Sequence, residues 1–308
     1  MKLRINWICI WGIFSLLILF VIIALRLLGD GFKPEERAAI LRLKEVHEYP
    51  RLELLTSGSD DGDSEFNSLP EKTLRLLEEV LEFQRLRLRE ELFKFSDDRG
   101  VFRGSNLSLE NGGQPVRSLI VSTWRSGSTF LGQILNSVPG SFHHEEPLIE
   151  YDINQIRRPS HVKIALNYIK QLFNCNYTGL EYMLDSSHST TYFSFRLNKR
   201  LWPYCKLYMN FCLDPKLMEP FCKLFPVQNM KIVRLRASLL TPLLEDTSLN
   251  LRIILLIRDP RGILGSRKHV SWCDNHPDCY YPPIVCNDLL QNYNAAVELK
   301  RRFPSRFT

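Results

Sequence analysis

Two short apolar segments, far apart in the sequence, each lead into a polar loop and then into a helical pattern. The first is the β-rich run 118–123, followed by a Ser/Gly loop and a helical pattern to Val138. The second, Leu251–Ile257, is almost continuously apolar, which suits a parallel strand buried on both faces. Between them the chain reads as mostly helical, with one further strand at Met230–Leu235. Strands that alternate with helices predict an α/β fold, a parallel sheet flanked by helices.

The amino-terminal region contains an apolar segment, 7–25, without a single charge. A helix of this length spans roughly 28 Å, close to the thickness of a bilayer's hydrocarbon core. Lys2 and Arg4 precede it, which favours a cytosolic amino terminus. A cleaved signal peptide is the alternative, but the run is long for one and no clear small-x-small cleavage site follows. We therefore expect a cytoplasmic tail at 1–6, a transmembrane signal-anchor helix at 7–28, and a luminal remainder.

Sequons and cysteines agree with a luminal location. N-glycosylation sequons begin at Asn106 and Asn176. Of the 8 cysteines, Cys9 lies in the apolar segment and the others follow Asn106. An oxidising compartment lets cysteines pair, and the odd number remaining leaves at least one that is free, bridges another chain or lacks its partner. A zinc site is the alternative, but no Cys-x-x-Cys occurs. We expect disulfides and no metal.

A stem separates the apolar segment from a compact domain. Residues 56–69 are acidic and Gly/Ser-rich, as in a flexible linker. The segment 70–95 begins with a proline and repeats leucine near heptad spacing, which predicts a helix. Two interpretations are open, a short coiled coil that joins two copies into a homodimer and one amphipathic helix lying on the main domain. We assign 29–115 to the stem and 116–308 to the compact domain.

The loop after the first strand reads TWRSGST and has the features of an anion site. Gly127 permits a tight turn, and the helix that begins near Thr129 directs backbone N–H groups and its dipole at the loop. Ser126, Ser128 and Thr129 add hydroxyl donors, and Arg125 adds a permanent charge. An ordinary strand-to-helix turn capped by serine is the alternative. The sequence is not a Walker A motif, because no lysine follows the glycine.

The second apolar strand leads into RDPRGILGSR. Arg258 stands at its carboxyl end, and Ser266 follows within the first turns of the next helix. Ligands of open parallel sheets bind beyond the carboxyl ends of the strands, where an arginine and a serine can hold a phosphate. The alternative is a capping ion pair between Asp259 and a nearby arginine.

Together, TWRSGSTF and RDPRGILGSR resemble the 5′-phosphosulfate loop and the 3′-phosphate segment of Golgi carbohydrate sulfotransferases. The similarity is greatest to the enzymes that sulfate the 6-hydroxyl of galactose, N-acetylglucosamine and N-acetylgalactosamine. It covers about 116–308 and includes Glu146-Pro147 and the stretch CKLFPVQNMKIVRL at 222–235.

The resemblance implies 3′-phosphoadenosine 5′-phosphosulfate as sulfuryl donor, a glycan hydroxyl as acceptor, and a type II protein of the Golgi membrane. The residues that the resemblance predicts to bind this donor are Arg125, Ser126, Gly127, Ser128, Thr129, Arg258 and Ser266. It implies no metal, and we expect no nucleic acid as partner. The net charge of +6 fits an anionic ligand but equally a solvated basic surface.

For the chemical step, the resemblance assigns Arg125 and Glu146. In-line sulfuryl transfer builds negative charge on the leaving phosphate, which Arg125 would neutralise. Glu146 would act as general base toward the acceptor hydroxyl. Glu145, His143 and His144 are the alternatives, although a histidine pair in a loop is more often a surface feature.

The related enzymes continue beyond Thr308 with a strand that reads roughly Val-Arg-Tyr-Glu-Asp-Leu. We therefore expect the catalytic domain to be incomplete at this point. Two other readings remain open. One is an inactive, membrane-bound short form that acts as an interaction protein. The other is a nucleotide-binding enzyme such as a P-loop kinase, against which the missing Walker lysine argues.

Overall fold

The computed structural model describes residues 34–42, 44, 71–95, 107–180, 184 and 189–308. The strands are β1 Val116–Val121, β2 Ser141–Glu145, β3 Val227–Ile232 and β4 Leu251–Leu255. The helices are α1 Glu71–Phe95, α2 Ser128–Leu135, α3 Pro159–Phe173, α4 Ser189–Arg196, α5 Trp202–Leu207, α6 Asn210–Leu213, α7 Pro215–Lys223, α8 Thr241–Glu245, α9 Pro260–Arg267, α10 Pro277–Tyr280 and α11 Pro282–Arg302. Residues 34–42 are also helical.

The four strands form one sheet in the order β2-β3-β1-β4, and every neighbouring pair is parallel. The predicted α/β class with a parallel, helix-flanked sheet is therefore confirmed. Because the strands are parallel, the loops that follow β1, β2, β3 and β4 all lie at one edge of the sheet. The outer side of β4 is paired too, since Ile253 N–H donates to Arg306 O at 2.8 Å and Thr308 N–H donates to Ile253 O at 2.9 Å.

The element that the sequence did not predict is β2. Its stretch, SFHHE, alternates neither in size nor in polarity, yet all five side chains are buried. The strand expected at Met230–Leu235 begins three residues earlier, at Val227. Its first half was missed because Gln228 and Asn229 are polar, although both are buried. Burial of these polar side chains is a property of the assembled sheet, which local patterns do not record.

Helix α1 lies on the domain through one apolar face. Its buried residues recur at three- and four-residue intervals: Thr73, Leu76, Leu77, Val80, Leu81, Gln84 and Leu88. The helix packs against α7, and its apolar buried residues belong to the same hydrophobic core as Ala39 and Ile40. This is the packing expected of a single amphipathic helix on the main domain.

Three disulfides confirm the expectation of paired cysteines. They join Cys175 to Cys222, Cys205 to Cys212 and Cys273 to Cys279. Cys286 is free and exposed. The first bridge ties the end of α3 to α7, and the third fixes the segment between α9 and α10. The odd cysteine among the seven that follow the apolar segment is therefore Cys286.

Several expectations concern residues that the structure does not describe. The predicted membrane helix 7–28, the linker 56–69 and the sequon residue Asn106 lie outside the described residues. Within the described ranges, no helix is both long enough and apolar enough to cross a membrane.

Candidate active site

The loop after β1 has the backbone of a tight strand-to-helix turn. Gly127 immediately precedes α2 and has a φ of 94°, a left-handed conformation that glycine adopts without steric cost. Arg125 also has a positive φ, 66°, which is uncommon for a residue with a side chain. The first N–H groups of α2, beginning with Ser128 and Thr129, have no partner within the helix and face the loop. The turn thus supplies the geometry of an anion site.

Two buried polar atoms of this loop have no partner among the described residues. They are the hydroxyl oxygen of Ser126 and Nε1 of Trp124. Both residues are more than nine-tenths buried. A buried polar group without a hydrogen bond is costly, and such groups at functional sites commonly pair with a ligand or an ordered water. The Ser126 hydroxyl is thus a buried donor without a protein partner in the loop where the sequence predicts sulfate or phosphate oxygens.

The two sequence motifs meet directly in the folded chain. Nε of Arg125 donates to the hydroxyl oxygen of Ser266 at 3.0 Å. Nη1 of Arg258 donates to the backbone carbonyl oxygen of Arg125 at 2.9 Å. Both arginines are exposed, so their charges are accessible to a ligand. Residues 133 and 141 positions apart therefore form one cluster at the carboxyl edge of β1 and β4.

The capping ion pair, the alternative interpretation of the second motif, forms between Asp259 and Arg261 and does not involve Arg258. Asp259 caps α9 by accepting from the backbone N–H of Arg261 at 2.8 Å and pairs with its guanidinium at 2.5 Å. The hydrogen bond from the Arg261 side chain lowers the pKa of Asp259 to about 2. Arg258 instead contacts the β1 loop, through the backbone carbonyl oxygen of Arg125. A Cβ on Gly262 would lie 3.1 Å from Nε of Arg258, so the glycine leaves room for that side chain.

Arg267 is part of the second motif, but nothing in the sequence indicated its role. Its side chain hydrogen-bonds to the β1 loop. It donates to the carbonyl oxygen of Trp124 at 2.8 Å, to Oγ1 of Thr123 at 2.7 Å and to the carbonyl oxygen of Cys279 at 2.6 Å. It is buried, and this burial lowers its pKa to about 10. Its guanidinium carbon also lies 5.8 Å from the centre of the Trp124 ring. Arg267 thus joins the anion loop to the segment of the third disulfide.

The carboxyl end of β2 carries a buried network of charges. Oε1 of Glu145 lies 2.8 Å from Nζ of Lys231, and its Oε2 lies 2.8 Å from Nε2 of His143. The hydroxyl of Thr129, in the anion loop, donates to Oε1 of Glu145 at 3.3 Å. Burial raises the pKa of Glu145, but the hydrogen bond from His143 and the charge of Lys231 outweigh it and hold the pKa below its ordinary value.

Glu146, the expected base, stands just beyond β2 with a φ of 45°. Lys231 pairs with its Oε1, and Nη1 of Arg234 lies 2.5 Å from its Oε2. Burial raises the pKa of Glu146, but the charges of Lys231 and Arg234 outweigh it and lower the pKa. The carboxylate therefore stays ionised. Its side chain is 14% exposed, whereas that of Glu145 is 0% exposed.

The two histidines are not surface features, so that expectation was wrong. Both lie on β2, and neither exceeds 3% exposure. Nε2 of His144 lies 2.8 Å from the hydroxyl of Tyr177, on the face of the sheet opposite to His143. Burial, with a contribution from His143, lowers the pKa of His144 to about 3. His144 is therefore neutral at physiological pH.

The structure brings the predicted residues into two neighbouring groups. Arg125, Arg258 and Ser266 form the first, beside the loop residues Ser126, Gly127, Ser128 and Thr129. Glu146 belongs to the second, the charge network. Two links connect the groups, Thr129 to Glu145 and the guanidinium of Arg234, which lies 5.6 Å from the centre of the Trp124 ring. Lys231 and Arg234 were missed as site residues, although two basic residues inside a strand-like stretch were a usable signal.

A tight loop at the carboxyl edge of a parallel sheet, with two arginines and a serine around it, has the geometry and charge of an anion site. The model of the sulfotransferase domain matches residues 115–298, more than half of the sequence, and the chain belongs to the sulfotransferase family.

The relatives that match are carbohydrate sulfotransferases, as the motifs indicated. Human carbohydrate sulfotransferase 5 is 30% identical over 187 residues, which cover 54% of this chain and 46% of the relative. Rat carbohydrate sulfotransferase 7 is 30% identical over 182 residues, 47% of this chain and 37% of the relative. Human carbohydrate sulfotransferase 3 is 30% identical over 186 residues, which cover 50% of this chain and 39% of the relative. The match thus spans less than half of each relative. No solved structure matches.

Proposed function

We propose that this protein transfers a sulfuryl group from 3′-phosphoadenosine 5′-phosphosulfate to a hydroxyl group of a glycan. The observation that carries the proposal is the direct contact between the two motifs, through Arg125, Arg258 and Ser266. One nucleotide with phosphate groups at both its 5′ and 3′ positions would engage both motifs at once. The family match and the names of the relatives support the same reaction.

In this proposal the β1 loop holds the 5′-phosphosulfate. The backbone N–H groups at the start of α2 and the hydroxyls of Ser126, Ser128 and Thr129 would donate to its oxygens. Arg125 would neutralise the charge that develops on the leaving phosphate as the S–O bond breaks. Arg258 and Ser266 would bind the 3′-phosphate. Fixed side-chain cations and backbone donors supply the electrostatic stabilisation, so the proposal requires no metal.

Glu146 is our candidate for the general base. A base must contact the acceptor hydroxyl, and of the four candidates at the end of β2 only Glu146 is more than marginally exposed. Its ion pairs with Lys231 and Arg234 keep it ionised and therefore able to accept a proton. The same pairs weaken its affinity for a proton. The acceptor's proton would move to Glu146 as the oxygen attacks sulfur.

For the acceptor we propose the 6-hydroxyl of galactose or an N-acetylhexosamine, on the resemblance of the motifs to the enzymes of that group. For the location we propose the Golgi lumen, with the apolar segment 7–28 as a type II anchor. Asn176 is exposed, and three disulfides stabilise the domain, as befits an oxidising compartment.

The test is a transfer assay with a sulfur-labelled donor and a panel of glycans, run on the full-length protein. We expect label on a galactose- or N-acetylhexosamine-containing glycan and none without enzyme. Calorimetry with the desulfated nucleotide separates the two steps. Binding without transfer to any glycan would refute the acceptor class, and absence of nucleotide binding would refute the donor.

A further inference from the structure

Two arginines of the second motif hold successive peptide groups of the β1 loop. Arg267 donates to the carbonyl oxygen of Trp124 from Nη2, at 2.8 Å, and from Nε, at 3.1 Å. Arg258 donates to the carbonyl oxygen of Arg125 at 2.9 Å. These two carbonyls belong to the peptide groups on either side of Arg125. Both peptide groups that flank Arg125 are therefore tied to the second motif.

The backbone of Arg125 needs such contacts, because its φ of 66° is unfavourable for a residue with a side chain. A strained conformation of this kind persists only where the surrounding structure holds it. Nε of the same residue donates to the hydroxyl of Ser266 at 3.0 Å. A relaxed backbone at Arg125 would move this side chain and the loop residues that follow it. The contact of Arg267 with Trp124 thus acts on the geometry of the anion site.

Arg267 is itself held by the segment that the third disulfide closes. Its Nη1 donates to the carbonyl oxygens of Cys279, at 2.6 Å, and Asp278, at 3.4 Å. Cys279 is bridged to Cys273, and neither cysteine is more than 1% exposed. Since Nη2 also donates to Oγ1 of Thr123 at 2.7 Å, all five N–H groups of the guanidinium are engaged. Arg267 therefore bridges the β1 loop and the disulfide-closed segment.

The charge of Arg267 has no carboxylate partner within the part of the chain that the structure describes. The residue is only 2% exposed, and its hydrogen-bond acceptors are carbonyl oxygens and one hydroxyl. Burying a charge without a counter-ion is unfavourable. An anion bound in the β1 loop would lie near this charge and offset part of that cost.

We propose that Arg267 is a positioning residue for the donor nucleotide, and that the Cys273–Cys279 disulfide holds it in place. The disulfide fixes the carbonyl oxygens that Arg267 binds, and Arg267 fixes the peptide group before Arg125. Arg125 then presents its charge to the nucleotide. Arg267 acts through the loop and does not contact the nucleotide, because its N–H groups are all engaged. The inference rests on the proposed function, since donor binding is the property that it explains.

The first test compares two disulfides of nearly equal loop length. Cys273→Ser with Cys279→Ser opens a bridge of sequence separation 6, and Cys205→Ser with Cys212→Ser opens one of separation 7, between α5 and α6. All four cysteines are buried, so the two double variants should lose similar stability to urea. Calorimetry on the full-length protein with the desulfated donor nucleotide should show a roughly three- to tenfold loss of affinity in the first double variant and wild-type affinity in the second.

The second test, Arg267→Lys, breaks the same contact with every disulfide intact. Lysine keeps the positive charge, but its single ammonium group cannot span the carbonyl oxygens of Trp124 and Cys279 as the guanidinium does. Nucleotide affinity should again fall roughly three- to tenfold. Added to the double variant that lacks Cys273 and Cys279, Arg267→Lys should cost less than it does in the wild type, because both changes break one series of contacts.

Three results overturn the inference: unchanged affinity in Arg267→Lys, equal losses of affinity from opening either disulfide, or additive losses in the combined variant. If the urea measurement shows that the double variant at Cys273 and Cys279 does not fold, Arg267→Lys alone decides. Absence of nucleotide binding by the wild-type protein refutes the proposed function and this inference with it. Wild-type binding with unaffected variants refutes the inference alone, so the two failures are distinguishable.

Discussion

Arg258 donates a hydrogen bond from its guanidinium to the backbone carbonyl oxygen of Arg125, at 2.9 Å. The contact joins the second motif to the backbone of Arg125, the charged residue of the first motif. Any change that displaces the Arg258 side chain should therefore act on nucleotide binding and not on the fold.

The first prediction tests this contact without altering a charged residue. A methyl group at residue 262 would approach Nε of Arg258 to 3.1 Å, so in Gly262→Ala the guanidinium must shift by a few tenths of an ångström. We expect calorimetry to show a roughly three- to tenfold loss of affinity for the desulfated donor nucleotide. Gly265→Ala in the same helix is the control, because nothing lies within 4 Å of its added carbon. Equal affinities of the two variants would contradict the prediction.

The second prediction removes the side chains of the second motif. Arg258→Ala and Ser266→Ala should each weaken nucleotide binding by about ten- to a hundredfold, the cost of one charge-assisted hydrogen bond. Arg261→Ala is the matched control, because the Arg261 side chain is 89% exposed and its carboxylate partner among the described residues is Asp259. If both site variants bind like the control, the second motif does not hold the nucleotide.

The elements that the sequence predicted best are those whose local pattern matches their environment. β4 is an apolar run in a parallel sheet, and α1 repeats leucine on one face. The burial expected on both faces of β4 is only partial, because Leu251 and Ile253 are buried whereas Ile254 and Leu255 are half-buried. β2 escaped prediction because its SFHHE stretch is polar yet completely buried. What buries it is a set of partners far along the chain, such as Asn229 and Lys231 on β3. Charge pairs of this kind depend on the strand order and leave no local trace.

In the candidate site, too, the sequence predicted the contiguous motifs but not the contacts between residues that are far apart in the chain. The loop and the Arg258–Ser266 spacing are contiguous in sequence, so the motifs could identify both. The contact of Arg125 with Ser266 joins residues 141 positions apart and depends on β1 and β4 being neighbours. The pairing of Glu146 with Lys231 and Arg234 likewise requires β2 beside β3.

The third prediction concerns the charge beside the leaving group. Arg125→Ala should lower kcat by about 10²–10³, because a preorganised donor at a site of developing charge contributes that much. Affinity for the desulfated nucleotide should fall less than kcat. Arg125→Lys keeps the charge but not the guanidinium geometry, so it should recover part of the rate. Single-turnover kinetics with labelled donor make the measurement. A variant that loses affinity but no turnover would reassign Arg125 to binding alone.

The fourth prediction follows from the lowered pKa values of Glu145 and Glu146. Both carboxylates contribute stability above their unfolded pKa, near 4.5, and that stability is lost as the pH falls through the lower folded values. The free energy of unfolding in urea should therefore drop between about pH 5 and pH 3, and Glu146→Gln should drop less.

Glu150 is the control, because its pKa is shifted in the opposite direction to that of Glu146. Burial raises its pKa, so its contribution to stability grows as the pH falls. Glu150→Gln removes this gain and should lose slightly more stability on acidification than the wild type does. If Glu146→Gln and Glu150→Gln shift the pH dependence in the same direction, the ion pairs of Glu146 do not operate in solution.

The last prediction assigns the base. Glu146→Gln keeps the shape of the side chain and an oxygen that can accept from Lys231 or Arg234, but it removes the proton acceptor. Affinity for the nucleotide should be nearly unchanged, whereas turnover should fall by roughly 10²–10⁴. Glu145→Gln is the informative comparison, because Glu145 shares Lys231 with Glu146 but its side chain is 0% exposed and out of reach of an acceptor hydroxyl. Its turnover should fall less than that of Glu146→Gln. Transfer by Glu146→Gln at the wild-type rate, together with a slow Glu145→Gln, would move the base to Glu145 and make Thr129, which donates to that carboxylate, its link to the donor loop.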